Sequence, residues 1–220
     1  MVERILYYIC IFLALIVVLP FHEYAHALVA YKCGDKTPKA YGRLTINPLA
    51  HFDPFGLVCF VLAGFGWAKP VPVNPNYFRK YKRDCFLVAI AGVTANYTLA
   101  FIAYPLYRLS LFIPQFGYFT TVLSNVLYLI YALGISFFIF NLLPLYPLDG
   151  FRVIDSFSKK RGKFYYFLRY KSIYILYFLF ILNFLADAID VYQLDILGNL
   201  ISFLSKFVSY PINALWGLVF

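Results

Sequence analysis

Charged residues are scarce in this sequence of 220 residues. They make up 13% of it, whereas 63% of the residues are hydrophobic and 22% are aromatic. Soluble globular domains contain about 25% charged and about 45–50% apolar residues, so the composition excludes a soluble domain. Histidine occurs three times, which is too few for the metal sites of membrane di-iron oxygenases. The four cysteines lack C-x-x-C spacing, which argues against a disulfide framework.

Apolar runs account for most of the chain. Each run that crosses a bilayer must be helical, because lipid offers no partner to a backbone polar group. The stretch PFGLVCFVLAGFGWA (54–68) is too short to span and is rich in glycine, which predicts a re-entrant segment with a possible short β-hairpin. The sequence thus predicts an all-α integral membrane protein with about five transmembrane helices. These five runs, long enough to cross about 30 Å of hydrocarbon, lie at about 5–31, 85–107, 119–143, 172–187 and 196–218.

The basic residues cluster between the apolar runs. Sixteen of the nineteen lysines and arginines lie within residues 32–52, 69–83 and 152–171. If the re-entrant segment returns to its own side, these stretches share one face, which the positive-inside rule makes cytoplasmic. The N-terminus and the acidic loop DAIDVYQLD are then outside, and the C-terminus is inside. Because the net charge of +9 arises from these flanking residues, it indicates contact with the lipid bilayer and not with nucleic acid.

The first apolar run contains the polar motif HEYAH (22–26). Its histidines, at positions i and i+4, lie on one helix face, where two imidazoles can hold one Zn²⁺ and the adjacent Glu23 can act as a general base. The alternative is a pair of interior histidines bonded to neighbouring helices. Polar groups inside a membrane are costly and usually functional, which favours the metal site. At 1.5 Å per residue from Lys32, His26 lies about 9 Å deep and His22 about 15 Å deep.

A catalytic zinc site needs a third protein ligand, with water in the fourth position. The only other glutamate, Glu3, belongs at the opposite face, so the remaining candidates are the aspartates, the cysteines and His51. Asp149 is favoured because it lies near the end of IFNLLPLYPLDG, in which an asparagine and two prolines stop a helix inside an apolar stretch. Non-helical backbone at that depth must be buried in protein or line a cavity. His51 is the second candidate.

These motifs resemble those of the site-2 protease family of intramembrane metalloproteases. The similarity covers about residues 18–155 and includes, besides HEYAH and NLLPLYPLDG, the segments GRLTINPLAHFDPFG, GWAKPVPVNPNYFR and AGVTANYTLA. It is to the short form of the family, without a PDZ or CBS domain. The resemblance implies one Zn²⁺ per chain, bound by His22, His26 and Asp149, with Glu23 as the general base.

The resemblance also implies a domain organisation and further site residues. It indicates a single domain of residues 1–220, with a catalytic core at about 5–155 and accessory C-terminal helices at about 170–220. Asn96 and Asn141 correspond to asparagine motifs of the family and are candidates to hydrogen-bond the developing oxyanion or the substrate. For each asparagine the alternative is a hydrogen bond between helices. Gly92, one turn before Asn96, fits close helix packing.

The implied function is hydrolysis of peptide bonds in transmembrane segments of membrane-protein substrates, in a bacterial cytoplasmic membrane. A helical substrate must unwind first, and residues 40–47 are predicted to offer it a strand edge. Two other functions compete: a membrane metal transporter, and a non-catalytic binding protein on a protease scaffold. A transporter needs polar groups along a path to both faces, whereas the outer halves of these spans are nearly all Phe, Tyr, Leu and Ile. A non-catalytic scaffold would usually have lost the glutamate or a ligand.

Overall fold

The computed structural model describes residues 2–56, 68–114, 116–158 and 161–220. Most of the predicted re-entrant segment therefore lies outside the described residues. Two short 3-10 turns, at Pro75–Tyr77 and Tyr192–Leu194, interrupt the loops. The α-helices of the described part are α1 (Val2–Lys32), α2 (Thr37–Ala40), α3 (Pro48–His51), α4 (Tyr81–Ser110), α5 (Tyr118–Leu142), α6 (Asp149–Phe157), α7 (Lys163–Ala188) and α8 (Ile196–Trp216).

Four of these helices are long and apolar enough to cross a membrane: α1, α4, α5 and α7. They match four of the five predicted spans, and the prediction of an all-α integral membrane protein is confirmed. The fifth predicted span forms α8, a helix of 21 residues that is not among the four candidates in the described part of the chain. Two asparagines, three serines and Lys206 lower its hydropathy.

Helices α1, α4 and α5 pack around small side chains. Ala14 and Val18 of α1 meet Ala103 of α4 and Ile130 of α5 in a buried cluster. Lipid tails are as apolar as leucine, so close van der Waals packing, and not the hydrophobic effect, holds such helices together. At Gly134 of α5 an added Cβ would lie 2.9 Å from the backbone oxygen of Asn96. The backbones of α4 and α5 therefore approach each other closely at the level of Asn96.

The two flanks of the predicted re-entrant segment meet. Phe52 and Ala68 form an isolated antiparallel bridge, and the Lys69 N–H donates to the His51 carbonyl at 2.7 Å. This bridge is all that the described residues contain of the possible hairpin, and they include no β-strand. The predicted strand edge at 40–47 is likewise not part of a sheet there, and its Thr45 carbonyl accepts a hydrogen bond from His51 Nε2 at 2.7 Å.

Helix α8 runs parallel to α4. The N-terminal half of α1 lies at the end of the bundle where α4 finishes, since the Cys10 thiol is 4.0 Å from the Val122 carbonyl near the start of α5. Both termini are thus at one end of the helix bundle, which differs from the predicted placement of the C-terminus on the face opposite the N-terminus. Three contacts that advance in step along both helices establish the direction of α8: Tyr97 with Val208, Phe101 with Trp216, and Arg108 with Phe220.

The difference arises because the positive-inside rule depends on basic residues, and the C-terminal region contains few of them. Lys206 is the single basic residue after residue 171, so the orientation of the last helices was inferred from the number of spans alone.

We predict that the variants Glu3→Cys and Val219→Cys, each made in a background without the four native cysteines, are labelled by a membrane-impermeant thiol reagent from the same side. Lys163→Cys is expected to be labelled from the other side, because α5 separates the two faces. The measurement is labelling of intact oriented vesicles before and after permeabilisation. Labelling of Val219→Cys together with Lys163→Cys would contradict this arrangement.

Candidate metal centre and active site

The two histidines of HEYAH lie one turn apart on α1 and face each other. Their Nε2 atoms are 3.0 Å apart, and both residues are buried, with His22 8% and His26 3% exposed. Pro20 lies inside the same helix without ending it. The i, i+4 spacing predicted this pair of nitrogens on one helix face, and the structure brings them together as predicted.

Asp149 is the first residue of α6 and closes the group. Its Oδ2 atom lies 3.0 Å from His26 Nε2 and 3.4 Å from His22 Nε2, and the residue is 4% exposed. Its other oxygen, Oδ1, accepts a hydrogen bond from Arg152 Nη1 at 3.3 Å. Within the residues described, these three side chains are the one group with the spacing of metal ligands.

The chain reaches this position through the interruption between α5 and α6. Prolines in NLLPLYPLDG prevent α5 from continuing, and Leu148 is extended at the start of α6. Gly150 follows the aspartate because its Cα packs directly against the carbonyl oxygens of Leu142 and Leu143, where a Cβ would collide. The glycine of the LDG sequence thus lets the start of α6 pack against the end of α5, and this sets the position of Asp149.

Gly92 of α4 faces the histidine pair. A Cβ added there would overlap His26 Nε2 and would lie 2.5 Å and 2.7 Å from the Cε1 and Nε2 atoms of His22. The missing side chain therefore keeps open the space in front of the nitrogens that would bind a metal. The sequence indicated close packing at Gly92 but did not show that its partner is the candidate metal site.

The three ligand atoms fit zinc. Tetrahedral zinc with bonds of about 2.0–2.2 Å places neighbouring ligand atoms about 3.4 Å apart, close to the 3.0–3.4 Å found here. His26 Nδ1–H donates to the Val88 carbonyl at 2.7 Å, which leaves Nε2 as the free lone pair. The site therefore offers two nitrogen ligands and one carboxylate ligand.

Asn96 contacts His22 from α4. Its side-chain amide lies against His22 Nδ1 at 3.0 Å, while its Oδ1 is buried without a partner among the described residues. Rotating the amide by 180° turns Oδ1 toward His22, where it accepts Nδ1–H, and the buried oxygen gains a hydrogen bond. This arrangement leaves His22 Nε2 unprotonated, as metal binding requires. Asn96 thus makes a bond between helices, and it makes that bond to a candidate ligand.

Glu23 lies beside the metal ligands with one oxygen held by backbone. Its Oε2 accepts a hydrogen bond from the Val71 N–H at 2.9 Å. Val71 itself is buried, at 7% exposure. The structure therefore brings the predicted general base next to the site and fixes one of its two oxygens.

Two predicted residues lie elsewhere. His51 is fully buried, but its Nε2 donates to the Thr45 carbonyl and it is not part of the ligand group in the described residues. Asn141, in the last turn of α5, donates from Nδ2 to the Phe137 carbonyl at 3.1 Å within its own helix. The role of Asn141 toward a substrate stays a prediction.

Sequence reasoning missed the groups that support the site. The Val88 carbonyl and the Val71 N–H belong to the backbone, so the residue types at these positions do not reveal them. Arg152 was visible only as one of seven basic residues in 152–171. Its position three residues after Asp149 on a helix was the available signal, since i and i+3 side chains are neighbours.

Comparison with known proteins agrees with the geometry. The model of peptidase family M50 matches residues 117–185. “Putative zinc metalloprotease YwhC” of Bacillus subtilis is 45% identical over 161 residues, covering 70% of this chain and 74% of YwhC. The Rip2 proteins of Mycolicibacterium smegmatis and Mycobacterium tuberculosis, which carry the same description, are 30% and 29% identical over 61% of this chain. The chain spans about half of their length, 51%. No solved structure gives a significant match.

Identity of this extent over three quarters of a relative is sufficient to assign the family. The family's cofactor is zinc, and the group formed by His22, His26 and Asp149 could hold it. The described part of the chain also contains the membrane-spanning helices that an integral membrane enzyme needs. This chain belongs to peptidase family M50, the site-2 protease family of zinc metalloproteases.

Proposed function

We propose that this protein is an intramembrane endopeptidase, which hydrolyses peptide bonds in the transmembrane segments of membrane-protein substrates. The observation that carries the proposal is the position of the site. Two histidines and Glu23 lie within α1, a helix of 31 residues that is apolar enough to span a membrane, and Asp149 meets them. A peptide bond reaches such a site only if it is itself in the membrane.

The location of the site favours cleavage near one face. We propose a bacterial cytoplasmic membrane in which the N-terminus is outside and the active site is toward the cytoplasm. The basic stretches at 32–52, 69–83 and 152–171 support this orientation through the positive-inside rule. His26 is six residues before Lys32, so it lies about 9 Å from that basic end of α1.

The residues of the chain divide the chemistry between them. His22 Nε2, His26 Nε2 and Asp149 Oδ2 would hold zinc, which when bound would supply a positive charge to activate a water molecule and stabilise an oxyanion. Glu23 accepts a proton at its carboxylate as water adds to the peptide carbonyl, and it delivers that proton to the nitrogen of the leaving amine. The surrounding apolar helices limit access of bulk water, which strengthens each of these polar interactions.

We propose a different role for Asn96 from the one suggested by the resemblance. Its contact with His22 Nδ1 supports a function as a positioning residue that sets the orientation and tautomer of this ligand.

The metal ligands are tested by the zinc content of the purified protein. We expect about one zinc per chain in the parent and in His51→Ala, and much less in Asp149→Asn, because a neutral amide lacks the charge and the strong lone pair of a carboxylate. Elemental analysis measures the zinc concentration, and protein absorbance measures the chain concentration. Loss of zinc in His51→Ala alone would show that the third ligand is assigned wrongly.

The general base is tested by Glu23→Gln. We expect cleavage of labelled single-span substrates to slow by about 10²–10⁴-fold while the zinc content is unchanged, since glutamine cannot take up the proton. Gel analysis of the products in detergent measures the rate, and Tyr24→Phe is the control on the same helix turn. Full activity of Glu23→Gln would contradict the mechanism, and no activity in the parent would favour a transporter or a binding protein.

The role of Asn96 as a positioning residue is tested by measuring zinc affinity. If Asn96 positions His22, Asn96→Ala should weaken zinc binding by about 10–100-fold, as loss of a hydrogen-bond partner of a ligand usually does. Competition with a chromogenic chelator measures the affinity, and Asn141→Ala is the control that should retain it. Unchanged zinc affinity together with slower cleavage would instead support a role of Asn96 toward the oxyanion or the substrate.

A further inference from the structure

Residues 69–74, with the sequence KPVPVN, form an extended segment that we call the strap. Lys69, Val71 and Asn74 each precede a proline. A residue before proline is displaced from the helical region toward extended backbone, and Asn74 shows this with φ −113° and ψ 100°. The sequence itself therefore holds the strap extended, without a neighbouring strand.

The same three residues anchor the strap through their backbone amides. Lys69 N–H donates to the His51 carbonyl at 2.7 Å, and Asn74 N–H donates to Asp35 Oδ2 at 2.7 Å. Asp35 is fully buried, and its Oδ1 accepts a second bond from Thr37 N–H. These two anchors hold the strap on both sides of Val71.

The middle amide is the one that reaches the active site. Val71 N–H donates to Glu23 Oε2 at 2.9 Å. Pro70 and Pro72 have no N–H, so Val71 carries the one backbone donor of residues 70–72. Val71 is 7% exposed, and a buried amide without a partner is costly. The chain thus presents a single, rigidly placed donor to the carboxylate.

We propose that the Val71 amide positions Glu23 for catalysis, and that this is the role of the strap. The bond holds Oε2 and leaves Oε1 to exchange protons with water and with the leaving amine. A carboxylate on a side chain with several rotatable bonds otherwise samples many orientations, and a fixed hydrogen bond restricts them. The inference rests on the proposed function of Glu23 as the general base.

The first test removes the Val71 N–H and keeps the Val71 side chain. Replacing Val71 by the corresponding α-hydroxy acid turns the amide into an ester and keeps the side chain. We expect kcat to fall about 10–100-fold, the range for a hydrogen bond to a charged group, with KM and zinc content unchanged. The same replacement at Val73 is the matched control, since it modifies the strap without removing the donor to Glu23, and its kcat should stay near that of the parent.

The second test detects the hydrogen bond by hydrogen exchange and does not require a measurement of activity. In a peptic peptide covering residues 69–73, only Val71 and Val73 retain amides that report exchange, because prolines have none. Glu23→Ala should accelerate hydrogen exchange in this peptide by removing the acceptor. Glu23→Gln keeps an acceptor oxygen and should preserve most of the protection.

The outcomes separate this inference from the proposed function. An active parent whose Val71 ester variant has the same kcat would overturn the inference alone. A fall in zinc content or a rise in KM, with kcat unchanged, would also overturn it, because the strap would then have only a structural role. Full activity of Glu23→Gln would overturn the proposed function together with the inference.

Discussion

A carboxylate and two imidazoles buried among apolar helices are stable only if they satisfy one another or bind a cation. Moving an unpaired charge from water into hydrocarbon costs several kcal/mol even after relaxation. His22, His26 and Asp149 lie within 3.0–3.4 Å of one another, so that one cation can contact all three. Zinc would meet this requirement, because the positive ion compensates the carboxylate and takes up the free lone pairs. The rest of the structure keeps these three groups at that spacing.

Glycines and prolines allow the three groups to lie at this spacing. Gly92 leaves space beside the histidines, and Gly150 lets the first residues of α6 contact the carbonyls that end α5. The prolines between α5 and α6 stop α5, and the resulting break carries Asp149 to α1. Substituting either glycine by alanine would therefore affect the site before it affected the membrane-spanning helices.

The sequence predicts the ligands well because so few polar residues compete for the roles. With two glutamates and three histidines in 220 residues, elimination excludes a second glutamate as ligand, and the helix break before Asp149 favours it over His51; the structure brings Asp149 to the histidines. The role of Asn96 was not predictable, because a sequence does not show which face of α4 meets α1. The orientation of α8 differs from the prediction for a related reason. Its direction depends on contacts such as Arg108 with Phe220, and its single lysine gives the charge rule almost no information.

Two of the four polar partners of the site are backbone groups, and this fits the composition. A domain with 13% charged residues has few side chains to spare for orienting its catalytic groups. A helix carbonyl has a second lone pair, so Val88 can accept from His26 while it stays in the helical hydrogen-bond ladder. An N–H is free only where the chain is not helical, and the prolines around Val71 provide such a place beside Glu23. The same interruptions of helical structure that are costly in a membrane therefore supply the donors that position the active site.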